Sequence, residues 1–308
     1  CVTLDGHQLP LWVNTGLLAD VKRAQQRGAE GVGLYRSEVA FMGTSRFPSE
    51  SEQVQMYREQ LEAFHPLPVT MRTLDIGGDK PLSYFPIKET NPYLGWRGIR
   101  ITLDHPEIFL VQVRAMIKAS VGLNNLHILL PMISGVHELD DAQRLIHRAW
   151  GELTSEGLDV QMPQIGVMIE VPSAVYQARE LARMADFLSV GSNDLTQYLL
   201  AVDRNNARVA ALYDYLHPAV LMALQDVVTA AHAEGKPVSI CGEMAGDPVA
   251  AVLLLAMGFD SLSMNSTHLP KVKWLLRKMT LAHAQALLAE VAHLDNPQVI
   301  HSTLNLAL

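Results

Sequence analysis

Eight short apolar runs, each followed by a stretch with helical spacing, constrain this chain more than any other feature. The runs are "LWVNTG" (11–16), "GVGLYR" (31–36), "PVTMRTLD" (68–75), "LHILLPM" (126–132), "QIGVMIE" (164–170), "FLSVGS" (187–192), "PVSICGE" (237–243) and "SLSMNS" (261–266). They are apolar nearly throughout and do not alternate strictly, the pattern of parallel strands covered on both faces. Between them, Leu139, Ala142, Leu145, Ile146 and Ala149 recur at three- and four-residue steps, one stripe of an amphipathic helix. Val220, Leu224, Val227 and Ala231 repeat that stripe. Eight such units predict an α/β fold, a (β/α)8 TIM barrel. An open doubly wound sheet is the alternative. It usually has fewer strands and often opens with a glycine-rich nucleotide turn, and no such turn follows the first run. A single domain is predicted over 1–308, with its core at about 11–280 and an extra C-terminal helix plus polar tail over 281–308. The connection from 76 to 104 is long, and long connections in compact domains are often functional.

A chain of 308 residues can bury one large core. Its 24 Lys and Arg against 32 Asp and Glu give a formal net charge of -8. That excludes a bulk nucleic-acid or anionic-membrane binder but leaves room for a local basic pocket. No apolar stretch approaches the roughly 20 residues needed to span a bilayer. The start, "CVTLDGHQLP", lacks the basic end and apolar middle of a signal peptide. Cys241 is the one internal cysteine and Cys1 the other, so there is no disulfide framework and no Cys-x-x-Cys site. A reducing, cytoplasmic setting is the expectation. A first residue that is Cys and not Met reads as a fragment of a longer chain or a processed product.

In such a barrel the active site lies at the carboxyl ends of the strands. Polar residues gather there: Asn14; Arg36 with Ser37 and Glu38; Arg72 with "DIGGDK" (75–80); Glu170; Asn193 and Asp194 in "GSNDL"; Cys241; and Asn265. One polar strand end reads as a solvated group, whereas seven read as a site. Glu170 and Asp194 are hard oxygen donors of the kind that hold Mg²⁺, which completes its shell with substrate oxygens and water. The competing reading is a structural pair bridged to arginine. Arg36, Arg72, Arg97 and Arg204, with Lys80, stand around them. Arginine forks match phosphate and carboxylate, so a metal with several arginines implies a small, highly anionic ligand. Gly77 and Gly78 are expected to permit close backbone approach beside that ligand, with Lys80 as a point charge, though "GGDK" lacks the Walker spacing. Cys241, in "SICGEMAGD", reads alone as a buried filler, as a nucleophile without a neighbouring histidine, or as a soft ligand among hard carboxylates.

The blocks "GVGLYRSEVAFM", "RTLDIGGDK", "NPYLGWRGIR", "PMIS", "IGVMIEVPSA", "DFLSVGSNDLTQYLLAVDR" and "SICGEMAGD" stand in family order. Together they resemble the phosphoenolpyruvate (PEP)-binding C-terminal barrel of Enzyme I, the PEP-protein phosphotransferase of the bacterial phosphotransferase system. Pyruvate phosphate dikinase and PEP synthase share much of this set, but "GLYRSE" followed by "FPSESEQ" favours Enzyme I, with the nitrogen-related paralogue ahead of the sugar one. The resemblance implies that Arg36 and Arg72 grip the phosphoryl group, that Arg204 holds the carboxylate side, and that Asn193 contacts the phosphate. It implies Glu170 and Asp194 as magnesium ligands and Cys241 as the general acid that protonates the enolate. Ser37 and Ser192 stand where threonine is common, and Pro248 follows the last motif; none of these removes a charged group.

The acceptor in that family is a histidine on a separate mobile domain. None of the twelve histidines here lies in a recognisable phospho-histidine motif. His65 and His217 precede prolines and read as loop residues, while His137, His147 and His232 read as helix surface. The implied partners are PEP and pyruvate, a histidine-bearing N-terminal domain, a downstream HPr-like phosphocarrier, and a second copy in a homodimer. Three rival readings remain at this point. They are a dikinase-type barrel, a non-catalytic PEP-sensing dimerisation module, and a pyruvate aldolase on a related barrel, which would not need so many arginines.

Overall fold

The computed structural model describes residues 1–308. Eight parallel strands close into one barrel in chain order. They are β1 (Leu11–Thr15), β2 (Val32–Arg36), β3 (Val69–Arg72), β4 (Leu126–Leu130), β5 (Gln164–Ile169), β6 (Phe187–Val190), β7 (Val238–Ile240) and β8 (Ser261–Met264). Pairing of Leu11 with Leu262 and Val13 with Met264 seals the cylinder. Every predicted run contains one strand, shorter than the run by one to four residues, and most of the difference lies at the carboxyl ends, which leave the ladder to form the mouth.

Alternation along the strands sorts the core into two parts. Val13, Val69, Ile128, Val167, Leu188, Val190, Ile240 and Leu262 join the large apolar layer under the helices. Leu34, Leu129, Met168, Phe187 and Cys241 form a separate small cluster that plugs the barrel's interior. At roughly 25 cal/mol per Å² of apolar surface, the outer layer carries most of the hydrophobic stabilisation. The inner plug is thin, so polar side chains reach the axis directly above it.

The helices match the predicted stripes. Helix Val136–Ser155 buries Leu139, Ala142, Ile146 and Ala149, with Leu145 only half-buried. Helix Pro218–Ala233 buries Val220, Leu224, Val227 and Ala231. Helix Pro248–Met257 begins where Asp247 accepts a hydrogen bond from the Val249 N–H at 3.0 Å, with proline in its first turn. No helix is long and apolar enough to cross a membrane.

The C-terminal region departs from expectation. One helix and a polar tail were expected after 280, but two helices form, Leu281–Val291 and Pro297–Ala307. Asn296 caps the second by accepting from the Gln298 N–H at 2.9 Å, and Ile300 and Leu304 bury the inner face. The polar composition of that stretch masks an i, i+4 apolar pair. The long connection after β3 is also ordered. It carries a helix at Ile99–Asp104 and packs Leu74, Ile76, Leu82 and Ile101 against Phe41.

Candidate functional site

A cavity of about 210 Å³ opens above the inner plug, lined by Arg36, Arg72, Lys80, Glu170, Asn193, Asp194, Arg204, Cys241 and Gly242, among others. Barrel closure thus brings together eight of the nine residues expected from sequence to form the site. The ninth, Arg97, is not among the residues lining this cavity, and its side chain is only 1% exposed. Its guanidinium sits 3.4 Å from Asp75 and 3.3 Å from Asp194, and it donates to the Tyr198 hydroxyl at 3.2 Å. Arg97 is therefore the counter-ion that lets two carboxylates be buried side by side.

The other cations divide into paired and free. Arg72 is buried, bridged to Glu38 and lying 3.5 Å from Asp75. Burial disfavours its charge, but Glu38, Asp75 and Glu170 outweigh that and hold it more firmly protonated than usual. The Lys80 ammonium donates to Asp75 at 2.6 Å, and Arg204 reaches Asp194 at 3.4 Å. Arg36 makes no ion pair with any of them. Burial, then the neighbouring Arg72, pull its pKa below the ordinary value, the mark of a cation that lacks an anion. Burial alone would raise the Asp75 carboxyl, yet Lys80, Arg97 and Arg72 hold it well below the usual carboxylate range.

Glu170 and Asp194 differ although they are neighbours. Burial pushes the Glu170 carboxyl up, and the Asp194 and Asp75 charges push it further. Burial would raise Asp194 as well, but Arg97, Arg204 and a hydrogen bond with Glu170 together outweigh it and hold the carboxyl low. The Met132 N–H donates to Glu170 at 2.7 Å. Met132 has a φ of 61°, a conformation that residues other than glycine rarely adopt.

Two turns complete the wall. Asn193 accepts from the Glu243 N–H at 2.9 Å, which leaves its amide nitrogen free for an acceptor. Its own carbonyl accepts from the Tyr213 hydroxyl at 3.2 Å. The Tyr215 hydroxyl donates to Asp247 at 2.6 Å, tying the loop that carries Arg204 to the end of the cysteine turn. Asn14, the polar group on β1, donates to the Cys241 carbonyl at 2.9 Å. Asn265 instead caps its own turn by accepting from Thr267. A second cavity, of about 390 Å³, shares Arg36, Asn193, Cys241 and Gly242 with the first.

Cys241 is 4% exposed. Its thiol lies 3.5 Å from the Val190 carbonyl and accepts from the Ser189 hydroxyl at 3.7 Å. Burial pushes the thiol pKa up, with Ser189 and Arg72 pulling the other way, so the thiol is protonated at neutral pH. Gly77 and Gly78 hold positive φ, as a tight bend requires. The close approach is that of Gly77 to neighbouring chain, however, and not to the cavity: a Cβ on Gly77 would meet Arg97 Cβ at 2.7 Å. The roles of Glu38, Asp75 and Ser189 were not singled out from sequence. The only signal for the first two was their place beside the strand-end arginines.

The family model described as "PEP-utilising enzyme, PEP-binding domain" matches residues 1–281. A protein of Escherichia coli (strain K12) named "Phosphoenolpyruvate-dependent phosphotransferase system" is 50% identical over 283 residues, which is 92% of this chain and 38% of that protein. A "Phosphoenolpyruvate-protein phosphotransferase" of Haemophilus influenzae is 46% identical over 288 residues, covering 93% of this chain and 50% of that protein. The chain thus spans half or less of the length of these two relatives. Among solved structures, a citrate lyase from Burkholderia xenovorans LB400 superposes with a TM-score of 0.52 at 16% identity, covering 98% of this chain and 92% of that one. That likeness bears on the barrel alone. The motif blocks, the cavity they line and the family match over 1–281 agree, and the chain belongs to the PEP-utilising enzymes, as their PEP-binding domain.

Proposed function

We propose that this chain binds PEP with Mg²⁺ and passes the phosphoryl group to a histidine carried outside the barrel, releasing pyruvate. The observation that carries this reading is one cavity wall: the protonated thiol of Cys241 lines the same space as the unpaired Arg36 and the Glu170–Asp194 pair. A thiol acid, a phosphate-seeking cation and two hard carboxylates are what PEP cleavage to pyruvate requires.

Charge supports it. Five cations, Arg36, Arg72, Lys80, Arg97 and Arg204, face four carboxylates, Glu38, Asp75, Glu170 and Asp194. The excess is one positive charge. A divalent cation together with a ligand bearing one carboxylate and one phosphate dianion balances it. Glu170 and Asp194 fit the metal, because like charges buried side by side, with Glu170 pushed toward protonation, call for a cation between them. Bound there, Mg²⁺ supplies neutralisation of the negative charge on the ligand's oxygens.

The protein's own residues perform the remaining work. Arg36 and Arg72 surround the phosphoryl oxygens, and Arg72 is held in place by Glu38 and Asp75. Asn193 offers its amide nitrogen, and Arg204 stands on the carboxylate side. The P–O bond to the enol oxygen breaks as a P–N bond forms to the acceptor imidazole. The enolate's carbon three takes the Cys241 proton and becomes the methyl group of pyruvate. The thiolate then recovers a proton from water. The 308 residues thereby supply the PEP half of the reaction, and the acceptor belongs to a separate histidine domain.

Mixing the chain with PEP, Mg²⁺ and a histidine-bearing domain from a phosphotransferase relative tests the proposal. Pyruvate release and phosphorylation of the added domain are expected. PEP binding with no transfer to that domain, but transfer to a dikinase histidine domain, would overturn it.

A further inference from the structure

We infer that Ser189 is a positioning residue for the proton transfer, its hydroxyl fixing the Cys241 sulfur and stabilising the thiolate left when the proton departs. The inference rests on the reading of Cys241 as the acid, and deepens it.

The barrel's interior makes the placement informative. In β6, Leu188 and Val190 face the helices, while Phe187 and Ser189 face the axis. Ser189 is fully buried, with β7 alongside in the register Ser189 to Ser239 and Val190 to Ile240. An inward position beside Phe187 and Met168 suits an apolar side chain. A hydroxyl there needs a partner, and its partner is the Cys241 sulfur at 3.7 Å. A neutral thiol is a weak acceptor. The bond is thus underused while Cys241 carries its proton, and strengthens once sulfur is charged. An interaction stronger in the transition state than in the ground state accelerates the step.

The other sulfur contact has the opposite effect. The Val190 carbonyl, 3.5 Å away, can accept from the thiol but repels the thiolate. Arg36 from β2 and Arg72 from β3 face the sulfur with favourable charge, and Glu170 beyond β5 with unfavourable charge. Lys80, Asp194 and Arg204 line the same cavity. Of these groups Ser189 alone makes a hydrogen bond to sulfur as donor, and replacing it leaves every charged group in place.

The test uses the full chain with Cys1→Ser, so that Cys241 is the one thiol. Alkylation of Cys241 by iodoacetamide is followed against pH, and exchange of pyruvate methyl protons with D₂O in the presence of Mg²⁺ is followed by NMR. Loss of one hydrogen bond to a charged group predicts that Ser189→Ala raises the alkylation midpoint by about one pH unit. Methyl exchange should fall about tenfold, with PEP affinity unchanged. Ser189→Thr, which keeps the hydroxyl, should restore both; should alanine prevent folding, Ser189→Gly replaces it. An unmoved midpoint in a folded hydroxyl-free variant overturns the inference. Full methyl exchange in Cys241→Ala overturns the acid reading instead. The alkylation midpoint does not depend on turnover, so the two failures are distinguishable.

Discussion

Gly242 packs against Ser192 so closely that a Cβ at position 242 would meet the serine Cβ at 2.9 Å, with the serine Oγ closer still. The turns after β6 and β7 interlock at this point, which holds Asn193 and Cys241 on one wall. The Ser192 hydroxyl is buried and has no hydrogen-bond partner, so rotating it away relieves only part of the overlap. Gly242→Ala should therefore lower stability by about 1–3 kcal/mol, the usual cost of overpacking, and slow turnover as the turns separate. Urea denaturation of the single variant and of Gly242→Ala with Ser192→Gly forms the check. The second change should recover most of the loss, and simple additivity would refute the contact.

Cys241 is placed to act as an acid. Cys241→Ala should keep PEP affinity and slow pyruvate formation by roughly a hundredfold or more, the size of a general acid's contribution. Because burial raises the thiol pKa, the acid form persists across neutral pH. Pyruvate formation should stay level through neutrality and decline only above the ordinary thiol range. A decline beginning below neutral pH, absent from the alanine variant, would contradict that environment.

Asp194 is the less buried of the two carboxylates proposed to hold the metal. Asp194→Asn should weaken PEP binding in Mg²⁺ by about tenfold or more while leaving metal-free binding little changed. Isothermal calorimetry with and without Mg²⁺ makes the comparison. Equal PEP affinity of the parent and the variant in Mg²⁺ would remove Asp194 from the metal site.

Arg97 serves the site from behind. Arg97→Met leaves Asp75 and Asp194 buried without their shared partner, and breaking such a buried pair costs about 3–5 kcal/mol. Guanidinium denaturation should show that loss, larger than the loss from Arg36→Met, because Arg36 pairs with no carboxylate.

Acid sensitivity follows from Asp75. Its native pKa is depressed below the unfolded value of about 3.9, so its contribution to stability is fully present above that pH. The contribution is lost as pH falls through the native pKa. Asp75→Asn should flatten the stability profile below about pH 4 relative to the parent. An unchanged acid limb in thermal melts would show that Asp75 is not the group responsible.

Most of the architecture was readable along the chain. Apolar runs, helical stripes and polar strand ends are local signals with periods of about two and 3.6 residues, and they place eight strands and their catalytic ends in order. Cys241, Glu170, Asp194, Arg36 and Asn193 reach one cavity because each lies at or just beyond a carboxyl end. The helix Pro297–Ala307 was missed because two buried residues in a polar stretch make a weak stripe.

The sequence by itself determined the barrel, the residues at its mouth and the membership of the PEP-utilising enzymes. Only the tertiary structure decided which charges are spent on each other. Arg97 and Asp194 are 97 residues apart in the chain, yet they form one buried pair. Ser189 and Cys241, 52 apart, share one hydrogen bond. No local period encodes such partnerships. They arise when the closed cylinder forces unlike side chains into a dry interior, where each charge or hydroxyl must find a partner.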